Sequence, residues 1–158
     1  MKKKMILVIA FVAATAALYG QSLDKDVMLL EINKARSKKC KCGNETQKAA
    51  PALVWDDKLT EAAQKHANDM SSKNFFSHKG SDKSSVDERI EREGFEWQLV
   101  GENIADGYMS EAHVIEGWMD SPGHCKNMMN PGFSHVGVAV SSDGRYWVQV
   151  FATPLQTK

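Results

Sequence analysis

The chain has no excess of charge of either sign, no internal repeat, and only three cysteines and four prolines in its 158 residues. Each of these absences excludes something. Twenty basic residues stand against twenty acidic ones, so no basic block is left to neutralise a phosphate backbone, and nucleic acid is excluded as a partner held by bulk charge. Beyond the N-terminal segment no apolar run is long enough to cross a bilayer. The sequence also lacks an H-E-x-x-H helix, a C-x-x-C pair and a glycine-rich phosphate loop, which removes the common zinc-protease, zinc-ribbon and nucleotide motifs. Any metal site has to be assembled from distant segments.

What is present at the N-terminus sets the compartment. Lys2-Lys-Lys4 is a basic start, Met5 to Ala14 is an apolar stretch, and small residues and Gly20 follow. This is the layout of a secretory signal peptide over residues 1–20, with a retained N-terminal anchor as the alternative. It predicts a secreted, periplasmic or extracellular protein that meets the membrane only transiently, through the signal. Residues 21–158 then form a single domain of ordinary size, with 17 basic residues against 20 acidic ones once the signal lysines are gone.

An exported chain with three cysteines favours one disulfide and one leftover thiol. Cys40 and Cys42 are too close for an easy bridge, so one of them pairs with Cys125, 85 or 83 positions away. Closing so long a loop stabilises a fold by roughly 4 kcal/mol on the chain-entropy model. His124 beside Cys125 resembles half of a nucleophilic pair, but adjacent side chains point apart and the ring cannot serve that sulfur.

Periodicity predicts a helix over residues 23–39, with Val27, Leu30, Ile32 and Ala35 in its apolar stripe and Leu29 at the edge. Residues 41–48 read as a polar loop, with a sequon at Asn44-Glu-Thr46, and 50–56 as an extended lead-in. Asp56 or Asp57 caps a second helix running to Lys73, whose apolar side holds Leu59, Ala62, Ala63, His66, Ala67 and Met70. His66 on that side reads as a buried, hydrogen-bonded histidine. A polar loop, a short helix stopped by Gly94, strand formers from Trp97 to Ile104 and a helix capped by Ser110 follow. Residues 133–140 and 146–152 alternate as strands around the Asp143-Gly144 hairpin signal. Helices first and a hairpin last predict an α+β fold in layers.

Among the five histidines, His78 and His124 stand in loops rich in Ser, Gly or Pro, free to face a cleft. Glu102, in Gly101-Glu-Asn103, is flanked by Val100 and Ile104. If buried it needs partners, and histidines would serve; otherwise it is an ordinary edge-strand glutamate.

Six segments in order resemble the CAP superfamily, also called the SCP domain, in its bacterial secreted branch. They are Leu59-Thr-Glu-Ala-Ala-Gln-Lys-His-Ala-Asn-Asp-Met70, Phe75-Phe-Ser-His78, Gly101-Glu-Asn-Ile-Ala105, Trp118-Met-Asp-Ser-Pro-Gly-His124, Asn130-Pro131 and Tyr146-Trp-Val-Gln149. The resemblance implies a three-layer α-β-α sandwich with a small antiparallel sheet. It also implies an open cleft centred on two histidines and two acids, which in some members holds a divalent cation, often zinc. Matched motif by motif, His78 and His124 are the metal-site histidines and Glu102 the first acid. Ser121 stands where many eukaryotic members carry the second acid, so one carboxylate is missing from the cleft. The resemblance further implies that Cys42 pairs with Cys125 and that Cys40 stays free. The function it implies is a secreted, non-enzymatic binding module for an extracellular lipid, polyanion or peptide, with zinc or another divalent cation as cofactor. The alternative is a metal-dependent hydrolase in which Glu102 is the catalytic general base.

Overall fold

The computed structural model describes residues 23–156, so the signal-peptide expectation lies outside the described residues. Helix α1 spans Lys25–Arg36 and is capped by Asp24, whose carboxylate accepts from the amides of Asp26 and Val27. Its buried ridge is Met28, Ile32 and Arg36, while Val27 and Leu30 are 42% and 64% exposed, so the expected stripe is rotated. Arg36 disguised the ridge because it reads as a solvated charge. Its Nε donates to the carbonyl of Pro51 at 2.8 Å and Nη1 to those of Met128 and Asn130, at 2.5 and 3.1 Å. Burial lowers its pKa to about 10.

The stretch read as a polar loop folds into a hairpin of β1 (Cys40–Cys42) and β2 (Glu45–Gln47), turned by Gly43 at φ +62°. Strand β3 (Val54–Trp55) follows, then α2 (Asp57–Lys73), which buries the six predicted residues including His66. Asp56 is its cap, bonded to the amides of Lys58 and Leu59. Helix α3 (Val86–Arg92) opens on a capping box between Ser85 and Glu88. Strand β4 (Trp97–Asp106), α4 (Glu111–Asp120), α5 (Pro122–Met128) and the hairpin of β5 (His135–Val140) and β6 (Tyr146–Pro154) complete the chain.

The main sheet has the order β3-β5-β6-β4. It is antiparallel except for the short pairing of β3 with β5, which is parallel. Strand β6 lies inside it and is buried on both faces. Trp147 and Phe151 pack with Met28, Ile32, Val114, Trp118 and Met128 from α1, α4 and α5. Tyr146, Val148, Val150 and Ala152 pack with the apolar side of α2 and Ile90 of α3. The result is a helix–sheet–helix sandwich with two cores, one on each face of the sheet. Helix α2 approaches the sheet to backbone contact at Gly137, where a Cβ would fall 2.2 Å from the amide nitrogen of Thr60.

Candidate functional site

Alternation along β4 divides its side chains between the two layers. Ile104 joins the α2–α3 core and Ala105 the opposite one, so Glu102 faces α3 and Asn103 faces α5. Both are buried, at 7% and 0% exposure. A buried carboxylate needs its charge answered, and here both oxygens are engaged. Glu102 Oε2 accepts from Arg89 Nη2 at 2.5 Å, and Oε1 lies 2.8 Å from His78 Nδ1.

Arg89 does more than balance the charge. Its Nη1 donates to the carbonyls of His78 and Ser84, at 3.1 and 3.0 Å. One guanidinium therefore holds both the backbone of His78 and the carboxylate that grips its ring. The imidazole itself projects outward, with 59% of its side chain exposed. A carboxylate accepts but does not donate, so His78 Nδ1 carries a proton, and Nε2 is the ring nitrogen left to act as a ligand.

His124 is reached from the other face of β4. It lies in the first turn of α5, after Ser121 at the cap and Pro122 at the first helical position. Its carbonyl accepts from Asn103 Nδ2 at 3.2 Å, and the same nitrogen bonds Gln149 Oε1 at 3.0 Å. Asn127, one turn further along α5, donates to the carbonyl of Glu102 and to Asn103 Oδ1, at 3.1 and 3.0 Å. Burial, and then repulsion from the His78 ring when that ring is protonated, lowers the pKa of His124 and favours its neutral form.

Among the described residues, the three-donor set with ligand atoms all within 4.8 Å of one another is Cys40, Cys42 and Cys125. Glu102 therefore does not converge with the two imidazoles as a third ligand; it supports His78 from behind, through Nδ1. Ser121, at the cap of α5, carries no charge, and its hydroxyl makes no capping bond. His66 is buried, with Nε2 2.9 Å from the carbonyl of Ser77, and burial lowers its pKa. Cys42 and Cys125 are joined by a disulfide with a Cα–Cα distance of 5.4 Å, and Cys40 is free.

Sequence reasoning missed Arg89, Asn103, Asn127 and Gln149. Arg89 lies in the charge-rich run Asp87-Glu-Arg-Ile-Glu-Arg92 and reads as a solvated face. Gln149 did leave a signal, because a polar residue inside Trp147-Val-Gln-Val-Phe151 must find a buried partner.

Residues 29–151 match the model of the CAP, or cysteine-rich secretory protein, family, and the chain belongs to that family. It is 36% identical over 99 residues to the uncharacterized protein YkwD of Bacillus subtilis, a match covering 63% of this chain and 38% of that protein. It is 38% identical over 99 residues to the uncharacterized membrane protein YlbC of the same species, covering 63% of this chain and 28% of that one. The chain thus spans well under half of either relative. Among solved structures, an extracellular protein containing an SCP domain from Bacillus anthracis superimposes with a TM-score of 0.62 at 34% identity, over 65% of this chain and 34% of that one. An outer surface protein of Borrelia burgdorferi gives a TM-score of 0.70 at 20% identity, over 86% and 99%, and shares the fold. Among the described residues no helix is long and apolar enough to cross a membrane.

Proposed function

We propose that the protein is an exported, non-enzymatic binding module whose cleft takes a divalent cation, zinc in particular, on His78 and His124. The observation that carries this reading is the Glu102–His78 hydrogen bond. It fixes the ring so that Nε2 faces outward as a ligand, the arrangement of a carboxylate–histidine–metal unit. Neutral imidazoles are the ligand form, and burial holds His124 in it. The donor set of two nitrogens suits zinc and leaves positions for water or for an anionic oxygen of an extracellular lipid, polyanion or peptide. One solved CAP-fold neighbour, NaASP2, is described with Zn2+.

The hydrolase alternative asks Glu102 to act as general base toward a metal-bound water. With one oxygen on Arg89 and the other on His78, that carboxylate has a positioning role instead. Export follows from the N-terminal signal layout, and the extracellular and outer-surface neighbours support it.

Calorimetric titration of zinc into the purified protein tests the cleft. Wild type binds one equivalent, and His78→Ala and His124→Ala each lose most of the affinity. Equal affinity in all three proteins overturns the proposal.

A further inference from the structure

Cys40 and Cys42 stand two positions apart on β1, so the pleat turns both side chains toward one face. Cys125 of α5 meets them there, with its sulfur 3.8 Å from the carbonyl of Lys41. All three sulfurs lie within 4.8 Å of one another, although only Cys42 and Cys125 are bonded. The two bonded residues are 1% and 0% exposed, whereas Cys40 is partly exposed and its thiol is free. A thiol in solution is thus shielded from the bridge but can reach the residue beside it.

We propose that Cys40 is a thiol–disulfide exchange site through which low-molecular-weight thiols and disulfides gain access to the buried Cys42–Cys125 bridge. In the first step the Cys40 thiol gives its proton to water and its sulfur bonds to Cys125 Sγ. The Cys42–Cys125 bond breaks, its electron pair leaves on Cys42, and that thiolate takes up a proton. Nothing is oxidised or reduced overall, because the cross-link only changes partner. Attack on Cys42 is disfavoured: residues two apart on a strand stand about 6.6 Å from each other, at the limit of a disulfide's Cα span.

The new Cys40–Cys125 bridge carries one sulfur at the surface. An external thiol attacks Cys40 Sγ, forms a mixed disulfide there and releases Cys125 as a thiolate. A second external thiol removes the first as a small disulfide and restores the Cys40 thiol. The protein gains two electrons and two protons, and the two external thiols lose them. Burial pushes the Cys40 thiol up from its ordinary value, which keeps the first step slow and the native bridge in place. Because Cys125 follows His124, the partner of this cross-link also sets how the cleft end of α5 is tethered.

The test is reduction of the native protein by glutathione, quenched with acid and N-ethylmaleimide and mapped by peptide mass spectrometry. Wild type is compared with Cys40→Ser and with wild type whose Cys40 has first been blocked by iodoacetamide. The inference expects a Cys40–Cys125 peptide in wild type during the reaction. It also expects the bridge to open roughly tenfold more slowly, or slower still, in both altered proteins. Equal opening rates in wild type and the blocked protein overturn it, and the blocked protein gives the answer even if Cys40→Ser folds poorly.

Discussion

His78 sits in a loop and is held by its ring, whereas His124 sits on a helix and is held by its backbone. The first depends on one buried ion pair: Arg89 fixes Glu102, and Glu102 fixes the imidazole. The second depends on neutral amides, with Asn103, Asn127 and Gln149 locking α5 to the sheet, and on the disulfide in the next residue. The two supports leave the same strand on opposite faces. A loop cannot orient a side chain by geometry alone, so it needs a charged partner. A helix already sets the direction of its side chains, so it needs only to be anchored.

Breaking the charged support has the largest expected effect. Glu102→Ala leaves the buried Arg89 guanidinium without its carboxylate, and stability should fall by about 3–5 kcal/mol in chemical denaturation. Breaking the neutral support should cost less. Asn103→Ala removes the donor to the His124 carbonyl and the acceptor for Asn127, with an expected loss of about 1–3 kcal/mol in the same assay. If the two losses come out equal, the contrast between charged and neutral support fails.

The third histidine of this region sharpens the comparison through pH. Burial lowers the pKa of His66, so the unfolded chain takes up a proton near the ordinary histidine value of about 6.5 while the folded chain resists it. The contribution of His66 to stability is therefore full above that pH and declines as the pH falls toward the lowered folded value. Denaturation midpoints measured from about pH 7 downward should show this decline in wild type and less of it in His66→Gln. The smallest effect on stability belongs to His78→Ala. The ring is 59% exposed, so its loss should change stability by less than about 1 kcal/mol while abolishing most of the zinc affinity. A large drop in stability in that variant would make His78 a structural residue.

The layered α+β fold, the second helix with its cap, and the closing hairpin were legible because each follows from local rules. Residues 57–73 keep a helical apolar spacing after Asp56, and Asp143-Gly144 separates two alternating runs. The first helix was misread on its buried ridge because Arg36, the residue completing that ridge, finds its partners in carbonyls up to 94 positions away. The hairpin of β1 and β2 was hidden because its strands are only three residues long, too short for Cys40-Lys-Cys42 or the polar Glu45-Thr-Gln47 to establish a strand period. For the candidate site, the sequence pointed to His78, Glu102 and His124, but not to the division of Glu102 from Asn103 between two layers. That division follows from strand alternation once β4 has helices on both sides. Arg89 had no readable signal, because a buried arginine and a solvated one look alike until a carboxylate is placed against it.

The Cys42–Cys125 bridge spans 83 positions, so the loop it closes contains β2, β3, α2, α3, β4 and α4 entire. A protease that cuts once within that loop, for instance at the exposed turn of residues 81–83, produces two fragments that remain covalently linked. The cut ends stay tethered to a sheet in which two of the four strands, β5 and β6, lie outside the loop and are untouched. A nicked molecule would therefore keep its full mass on a non-reducing gel and separate only after reduction, so the cross-link would outlast the continuity of the chain.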